Sequence, residues 1–109
     1  MANKAISELD KEQLLQIIDM YCKNWLAMDG VWFQSLEQKF GMDEAIFHDE
    51  NAWRTFTVVE ANRIKQFLGL PDQSGIEGLK QALKLRMYAN INEDEIVVEG
   101  NTLTYRTLD

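Results

Sequence analysis

The architecture of this chain is set by two adjoining stretches, DKEQLLQIIDMYCKNWLAMDGVWFQSLEQKFG at residues 10–41 and MDEAIFHDENAWRTFTVVEANRIKQFLGLP at residues 42–71. In both stretches apolar residues recur at steps of three and four, which is the spacing of one face of an α-helix. In the first stretch they are Leu14, Ile18, Tyr21, Trp25, Met28, Trp32, Leu36 and Phe40. In the second they are Ile46, Trp53, Phe56, Ile64 and Phe67. The pattern predicts two long amphipathic helices.

Local signals predict where these helices begin and end. Asp10 and Gln13 have the spacing of a capping box, and Gly41 suits the backbone conformation that ends a helix. A glycine and a proline close the second stretch in the same way. We therefore expect helices over about 10–40 and 43–68. Because so short a connection reverses the chain at once, the two helices should form an antiparallel hairpin.

The rest of the sequence predicts a third helix and a β-hairpin. A capping pattern at residues 74–77, SGIE, opens a helix over about 75–88. Apolar and polar residues then alternate around the two-residue turn Gly100-Asn101, which predicts a β-hairpin over about 94–107. Residues 1–109 are thus expected to form one domain of the α+β class. A two-stranded sheet is marginal alone, so its edges need the helices, a second subunit of a homodimer, or further sequence.

Composition narrows the classes of function. With 46% hydrophobic and 27% charged residues the chain should fold, and its net charge of −7 disfavours nucleic acid or an anionic membrane as partner. No apolar run approaches the roughly 20 residues of a membrane span, and no signal-peptide pattern is present. The single cysteine, Cys22, is expected to be a small buried side chain rather than a nucleophile. A cytoplasmic protein is expected.

Four ionisable residues fall on the predicted apolar faces of the three helices. Helical counting places Asp29 there on the first helix, Asp49 and Glu60 on the second, and Arg86 on the third. A buried carboxylate without a partner is costly, so each must pair, take up a proton or reach water. Counting along the antiparallel hairpin puts Asp29 level with Arg54 and Trp53, and Glu60 level with Cys22 and Lys23. Arg86 is the expected cation for both Asp29 and Glu60.

Three interpretations of this polar cluster remain open. In the first, Asp29, Glu60 and Arg86 form an internal charge network that fixes the register of the helices. In the second, they belong to a pocket in which one carboxylate is a general base and Arg86 holds a small anionic or heterocyclic ligand. The floor of that pocket would be Trp25, Trp32, Trp53 and Phe56. In the third, the charged residues lie at exposed ends of the stripes and have no role.

The remaining polar and apolar features are assigned to the surface. His48 is expected opposite the carboxylates on its helix, so the sequence predicts no metal site and no cofactor. Phe47 and Val58 form an apolar patch on the back of the second helix, which the third helix or another subunit should cover. No catalytic or nucleotide-binding motif is present.

Two segments carry a family resemblance: WRTFTVVEANRIK at residues 53–65 and KNWLAMDG at residues 23–30. They resemble an uncharacterised family of small cytosolic proteins of bacteria and archaea, which is similar in turn to the aminothiazoline-carboxylate hydrolases. The resemblance implies a mostly helical protein and includes Asp29 and Glu60 without giving them a role. Members of that family continue into a strand-and-helix segment with cysteines that this chain lacks, so no chemistry of those cysteines is carried over.

Two functions are therefore expected as alternatives. One is a small-molecule-binding or assembly module with a polar cluster in an aromatic-lined helical core. The other is a hydrolase-like enzyme that acts on a small anionic substrate, with Asp29 or Glu60 as general base and Arg86 as anchor.

Overall fold

The computed structural model describes residues 4–108 and confirms the α+β class, with a helical hairpin followed by a β-hairpin. Its helices are α1 (Lys4–Ser7), α2 (Lys11–Phe40), α3 (Met42–Leu68) and α4 (Gly75–Leu83), followed by a 3₁₀ helix (Met87–Asn90). The strands are β1 (Glu93–Glu99) and β2 (Thr102–Leu108). None of the described helices has a stretch long and apolar enough to cross a bilayer.

The start of α2 is fixed by the predicted capping box. The Gln13 N–H donates to Asp10 Oδ1 at 2.8 Å, and the Asp10 N–H donates to Gln13 Oε1 at 3.1 Å. Each side chain thus satisfies a backbone N–H that the first turn of a helix leaves without a partner.

Gly41 alone connects α2 to α3. Its backbone has φ 92° and ψ 171°, a conformation that is essentially restricted to glycine, and its N–H donates to the Glu37 carbonyl at 2.8 Å. The chain reverses at this residue, so that α3 returns along α2. Trp25 of α2 consequently stacks on Phe56 of α3, with ring centroids 5.8 Å apart.

The third helix is shorter than the sequence predicted. Helix α4 ends at Leu83 rather than near residue 88, and Arg86 has extended backbone angles, φ −60° and ψ 148°. The helical count that placed Arg86 on the apolar face of this helix was therefore wrong. The physical reason is a long-range contact, because the Met87 N–H donates to Glu60 Oε2 of α3 at 2.9 Å and begins a separate 3₁₀ helix.

Strands β1 and β2 pair in the predicted register. Ile96 lies opposite Tyr105, and Val98 lies opposite Leu103. Both strands contact α4, and β1 also contacts the 3₁₀ helix. The helices thus supply the cover that a two-stranded sheet needs. Pairing of its edges with a second subunit stays a prediction.

The fold leaves an unusually thin core. Among the described residues only Ala45 and Gly78 are buried. The radius of gyration is 16.8 Å, whereas a compact domain of this length has about 13 Å. The accessible surface of 8656 Å² likewise exceeds the roughly 6,200 Å² typical of a folded monomer of this mass. Much apolar surface is therefore exposed on the single chain.

Two glycines of the helical hairpin should respond to alanine in opposite directions. A Cβ at Gly41 or Gly30 would meet no atom within 4 Å, so backbone conformation alone decides the effect. We expect Gly41→Ala to lower the free energy of unfolding by about 1–3 kcal/mol because its φ is positive. Gly30→Ala, in the interior of α2, should raise it by up to about 1 kcal/mol. Urea denaturation at one protein concentration measures both, and changes of the same sign would contradict this account of the turn.

Candidate functional site

The first part of the polar cluster joins α2 to α3 within the helical hairpin. Asp29 of α2 is half-buried and lies beside Asp49 and Trp53 of α3, and both neighbours affect the pKa of its carboxyl group. The position of Trp53 agrees with the counting along the hairpin. An indole N–H can only donate, so Trp53 donates to the Asp29 carboxylate. Two carboxyl groups so close together repel each other when both are ionised, which disfavours the charged form of Asp29.

The surroundings of Asp29 favour its neutral form. Burial raises the pKa of Asp29, and the negative charge of Asp49 and its hydrogen bond raise that pKa further. The hydrogen bond from Trp53 acts in the opposite direction, because it stabilises the carboxylate. Asp49 lay on the predicted apolar face, but the sequence did not identify it as the partner of Asp29.

Aromatic rings lie on one side of Asp29 and Asp49. Trp53 meets Phe56 edge to face at 5.3 Å and stacks on Tyr88 at 5.2 Å. Trp25, Asp29, Ala52, Trp53 and Phe56 line a recess of about 40 Å³. That volume suits one or two water molecules and lies far below the roughly 300–1,000 Å³ of ligand cavities. Trp32, the fourth aromatic residue predicted for the pocket, is 64% exposed and does not line the recess.

The second part of the polar cluster joins α3 to the segment after α4. Arg86 Nε lies 3.7 Å from Glu60 Oε1, and the side chains of Arg86 and Glu60 are 29% and 13% exposed. The other carboxylate oxygen of Glu60 accepts the Met87 N–H. Glu60 and Arg86 therefore meet as predicted, although Arg86 reaches Glu60 from an extended segment and not from a helix. The ion pairs found for Arg86 in the described residues do not include Asp29.

A cleft between α3 and α4 adjoins this ion pair. Its volume is about 250 Å³. Its walls are mainly apolar side chains, with Glu60 and Arg86 as the charged members: Thr57, Glu60, Ala61, Ile64, Leu79, Ala82, Leu83 and Arg86. Leu83 also lines a second cavity of about 350 Å³, whose lining includes Lys80 and Lys84. The charged residues of that second cavity are Lys80, Lys84 and Asp94.

Two tyrosines connect the parts of the cluster, and sequence reasoning missed both. Burial, followed by the charges of Asp29 and Asp49, raises the pKa of the Tyr88 hydroxyl, while Arg86 lowers it. Burial and a hydrogen bond to Asp94 raise the pKa of Tyr105, and Arg86, whose guanidinium lies 5.8 Å from the ring centroid, lowers it. No helical or strand periodicity marks such contacts, because they join elements that are distant in the sequence.

The other singled-out residues lie away from this cluster. His48 Nε2 lies 3.4 Å from Glu44 Oε2 on an exposed turn of α3. Cys22 is half-buried, and its sulfur accepts a hydrogen bond from Asn90 Nδ2 at 3.9 Å. Phe47 and Val58 are exposed, so α4 does not cover this patch. Within residues 4–108, no group of His, Cys, Asp and Glu side chains is arranged to hold a metal ion.

These features define a small α+β protein in which one carboxyl group lies between the two helices of a hairpin and a second carboxylate ties the hairpin to the segment after α4. The model of DUF6125, a family of unknown function, matches residues 7–109, so the chain belongs to that family. No curated protein and no solved structure matches the chain.

The raised pKa of Asp29 predicts a pH-dependent effect of Asp29→Asn. The folded carboxyl group binds its proton more tightly than the unfolded one, so protonation stabilises the fold below the ordinary pKa of 3.8. This stabilisation is lost as the pH rises through the raised pKa. We expect Asp29→Asn to increase the free energy of unfolding near pH 7, by up to about 1 kcal/mol, and to have less effect near pH 3.

Denaturation of both proteins across this pH range is the measurement. Asp19→Asn on the same helix is the control, because Asp19 has a favourable ion pair with Lys23 at 2.8 Å. Its loss should lower stability slightly near pH 7 or leave it unchanged. A destabilised Asp29→Asn at neutral pH would contradict the raised pKa of Asp29.

The contact of Glu60 with the Met87 N–H predicts different effects for two substitutions. Glu60→Ala removes the acceptor and should lower the free energy of unfolding by about 1–3 kcal/mol, because a half-buried N–H loses its partner. Glu60→Gln keeps an acceptor oxygen and loses only the ion pair, so its cost should stay below about 1 kcal/mol. If urea denaturation gives equal losses of unfolding free energy for the two variants, then the ion pair with Arg86, and not the hydrogen bond from Met87, accounts for the stabilisation.

Proposed function

We propose that this protein is a small-molecule-binding module that holds a small organic anion in the cleft between α3 and α4. The observation that carries the proposal is the position of Arg86, which lines a mainly apolar cleft of about 250 Å³. A cation beside apolar walls suits a ligand with a carboxylate and an apolar or heterocyclic body. The cytoplasm and a homodimer, both predicted from the sequence, belong to the same proposal.

The geometry of Arg86 supports an anchoring role. Its contact with Glu60 uses Nε, one of five N–H donors on the guanidinium, and the side chain remains 29% exposed. Glu60 and Tyr105 hold the group in place before any ligand arrives, which lowers the entropy cost of binding. A preorganised and accessible guanidinium is suited to a carboxylate.

The net charge of −7 does not exclude an anionic ligand. Charges further away than about 8 Å are largely screened at physiological salt, so the nearest groups decide the local potential. Arg86 neutralises Glu60 within the cleft, and Lys80, Lys84 and Asp94 give the lining of the neighbouring cavity an excess of positive charge. The volume favours a molecule smaller than the usual drug-sized ligand.

Asp29 supports the alternative function, a hydrolase-like enzyme. A carboxyl group whose pKa is raised is better suited to proton transfer near neutral pH. However, Asp29 lines the recess of about 40 Å³, whereas Arg86 lines the cleft between α3 and α4. Because the proposed anchor and the proposed base line different cavities, the geometry favours binding over hydrolysis. Glu60, the other candidate base, is already engaged by Met87 and Arg86.

The test is a thermal-shift screen followed by calorimetry. The probes are aliphatic, aromatic and heterocyclic monocarboxylates, with their neutral primary amides as matched controls. A ligand at ten times its Kd should stabilise the protein by about 1.4 kcal/mol. Arg86→Gln should abolish this stabilisation, because it removes the charge that recognises the carboxylate.

Two further variants control this experiment. Lys84→Gln removes a neighbouring charge that lines the other cavity, and it should retain binding. Ala82→Leu fills the cleft between α3 and α4 without changing any charge, and it should block binding even if Arg86→Gln proves unstable. Stabilisation by the acids that survives Ala82→Leu, or equal stabilisation by the amides, would refute the proposal.

A further inference from the structure

We propose that the ligand of the cleft between α3 and α4 is an elongated dianion of the α,ω-dicarboxylate type, whose second carboxylate binds Lys65. The inference rests on the proposed function, because it takes Arg86 as the anchor of the first carboxylate. It adds a second anchor, and it narrows the ligand class to molecules with two acidic groups separated by an apolar chain.

The cleft continues along α3 toward the start of α4. A neighbouring cavity of about 270 Å³ shares Ala61, Leu79 and Ala82 with the cleft of about 250 Å³. Two of the shared residues are alanines, so the side chains at the junction are short. Neither cavity alone reaches the roughly 300–1,000 Å³ of ligand sites, whereas the two together fall within that range. We call the joined cavities the α3–α4 trough.

The far end of the α3–α4 trough carries a second cation, Lys65. Its side chain is 28% exposed, close to the 29% of Arg86 at the other end. The Lys65 ammonium lies 3.5 Å from both the carboxylate and the carbonyl oxygen of Asp72, which is longer than the usual hydrogen bond. Because the Asp72 side chain is fully exposed, this ion pair contributes little, and a ligand carboxylate can replace it.

The start of α4 adds a hydroxyl donor to this end of the trough. Ser74 lines the cavity, and its side chain makes no capping hydrogen bond to the helix. Gly78 is buried one turn further on, and a Cβ there would overlap Ser74 Oγ, so the glycine leaves room for the hydroxyl. The first turn of a helix also favours negative charge nearby. The lining thus offers an anionic group a cation and a hydroxyl donor.

The charged groups of the trough favour two anionic ends over a zwitterion. Both carboxylate oxygens of Glu60 are engaged, one by the Met87 N–H and one by Arg86, and the Asp72 side chain lies in water. Arg86 has further N–H donors beyond the Nε that meets Glu60, and an ammonium group has three donors. The acceptors of the trough are therefore occupied or turned to solvent, while donors remain at both ends.

The spacing of the two anchors sets the length of the ligand. Glu60, the partner of Arg86, precedes Lys65 by five residues on α3, which is about 7.5 Å along the helix axis. On α4, Gly75 and Leu83 line opposite ends of the trough and are about 12 Å apart along the axis. We expect carboxylates about 8–12 Å apart, a distance that extended suberate and sebacate reach and that succinate does not.

Calorimetry on the full chain tests the second anchor. Suberate is compared with its monoamide, which has the same length and one charge, and with octanoate. Suberate should bind about tenfold more tightly than the monoamide, because it makes one more charge-assisted contact. Lys65→Gln should remove this difference and leave the Kd of octanoate unchanged. Lys80→Gln is the matched control and should retain it, since Lys80 is also half-buried and lines the cavity of about 350 Å³.

Two further measurements test the same contact from other directions. Asp72→Asn removes the carboxylate that competes for Lys65, so it should lower the Kd of suberate about threefold without affecting octanoate. In the wild type alone, affinity should rise from succinate through adipate to suberate as the chain becomes long enough to join the two cations. Weaker binding of suberate to Asp72→Asn, or an affinity that does not depend on chain length, would overturn the inference.

The outcomes separate this inference from the proposed function. Equal affinity for suberate and its monoamide, with both lost in Arg86→Gln, would refute the second anchor and leave the proposed function intact. Tight binding of suberate that survives Arg86→Gln would also refute the inference, because one cation would then suffice. If neither suberate nor octanoate binds the wild type, the proposed function fails, and the inference fails with it.

Discussion

A single glycine in the positive-φ half of backbone space joins the two longest helices of the protein. Because Gly41 reverses the chain within one residue, α3 has only one direction in which to run, and every contact between the helices follows from that direction. The antiparallel direction brings Trp25 against Phe56. It also brings Asp29 next to Asp49 and Trp53. A longer loop would have left the register to side-chain packing alone.

The second constraint is the carboxylate of Glu60. It accepts the Met87 N–H and pairs with Arg86, so one side chain of α3 fixes the course of the segment that follows α4. Arg86 then approaches Tyr105 of β2, and Tyr88 of the 3₁₀ helix stacks on Trp53. The β-hairpin is thus tied to the helical hairpin through polar and aromatic contacts, which explains how a chain with so few buried residues holds its elements together.

The elements that the sequence predicted well are those with local causes. The capping box at Asp10, the turn at Gly41 and the register around Gly100-Asn101 each depend on residues within a few positions of one another. The end of α4 could not be predicted in this way, because a long-range hydrogen bond from Met87 competes with the helix. The partnership of Asp29 with Asp49 was missed for a similar reason, since helical counting gives the face of a residue but not its neighbour across the interface.

Trp25 shows why hydrophobic periodicity overstates the core of a single chain. Its ring stacks on Phe56, yet 42% of the side chain remains exposed. The stripe of α2 is wider than the surface that α3 presents, so some of its residues are covered and others, such as Trp32, are not. The apolar stripe shows which residues of a helix favour burial, but it does not show whether the same chain buries them. Asp29 lies on the part of the stripe toward α3, beside Trp53 and Asp49, so a face that hydrophobic periodicity assigns to the core also carries a polar contact between the two helices.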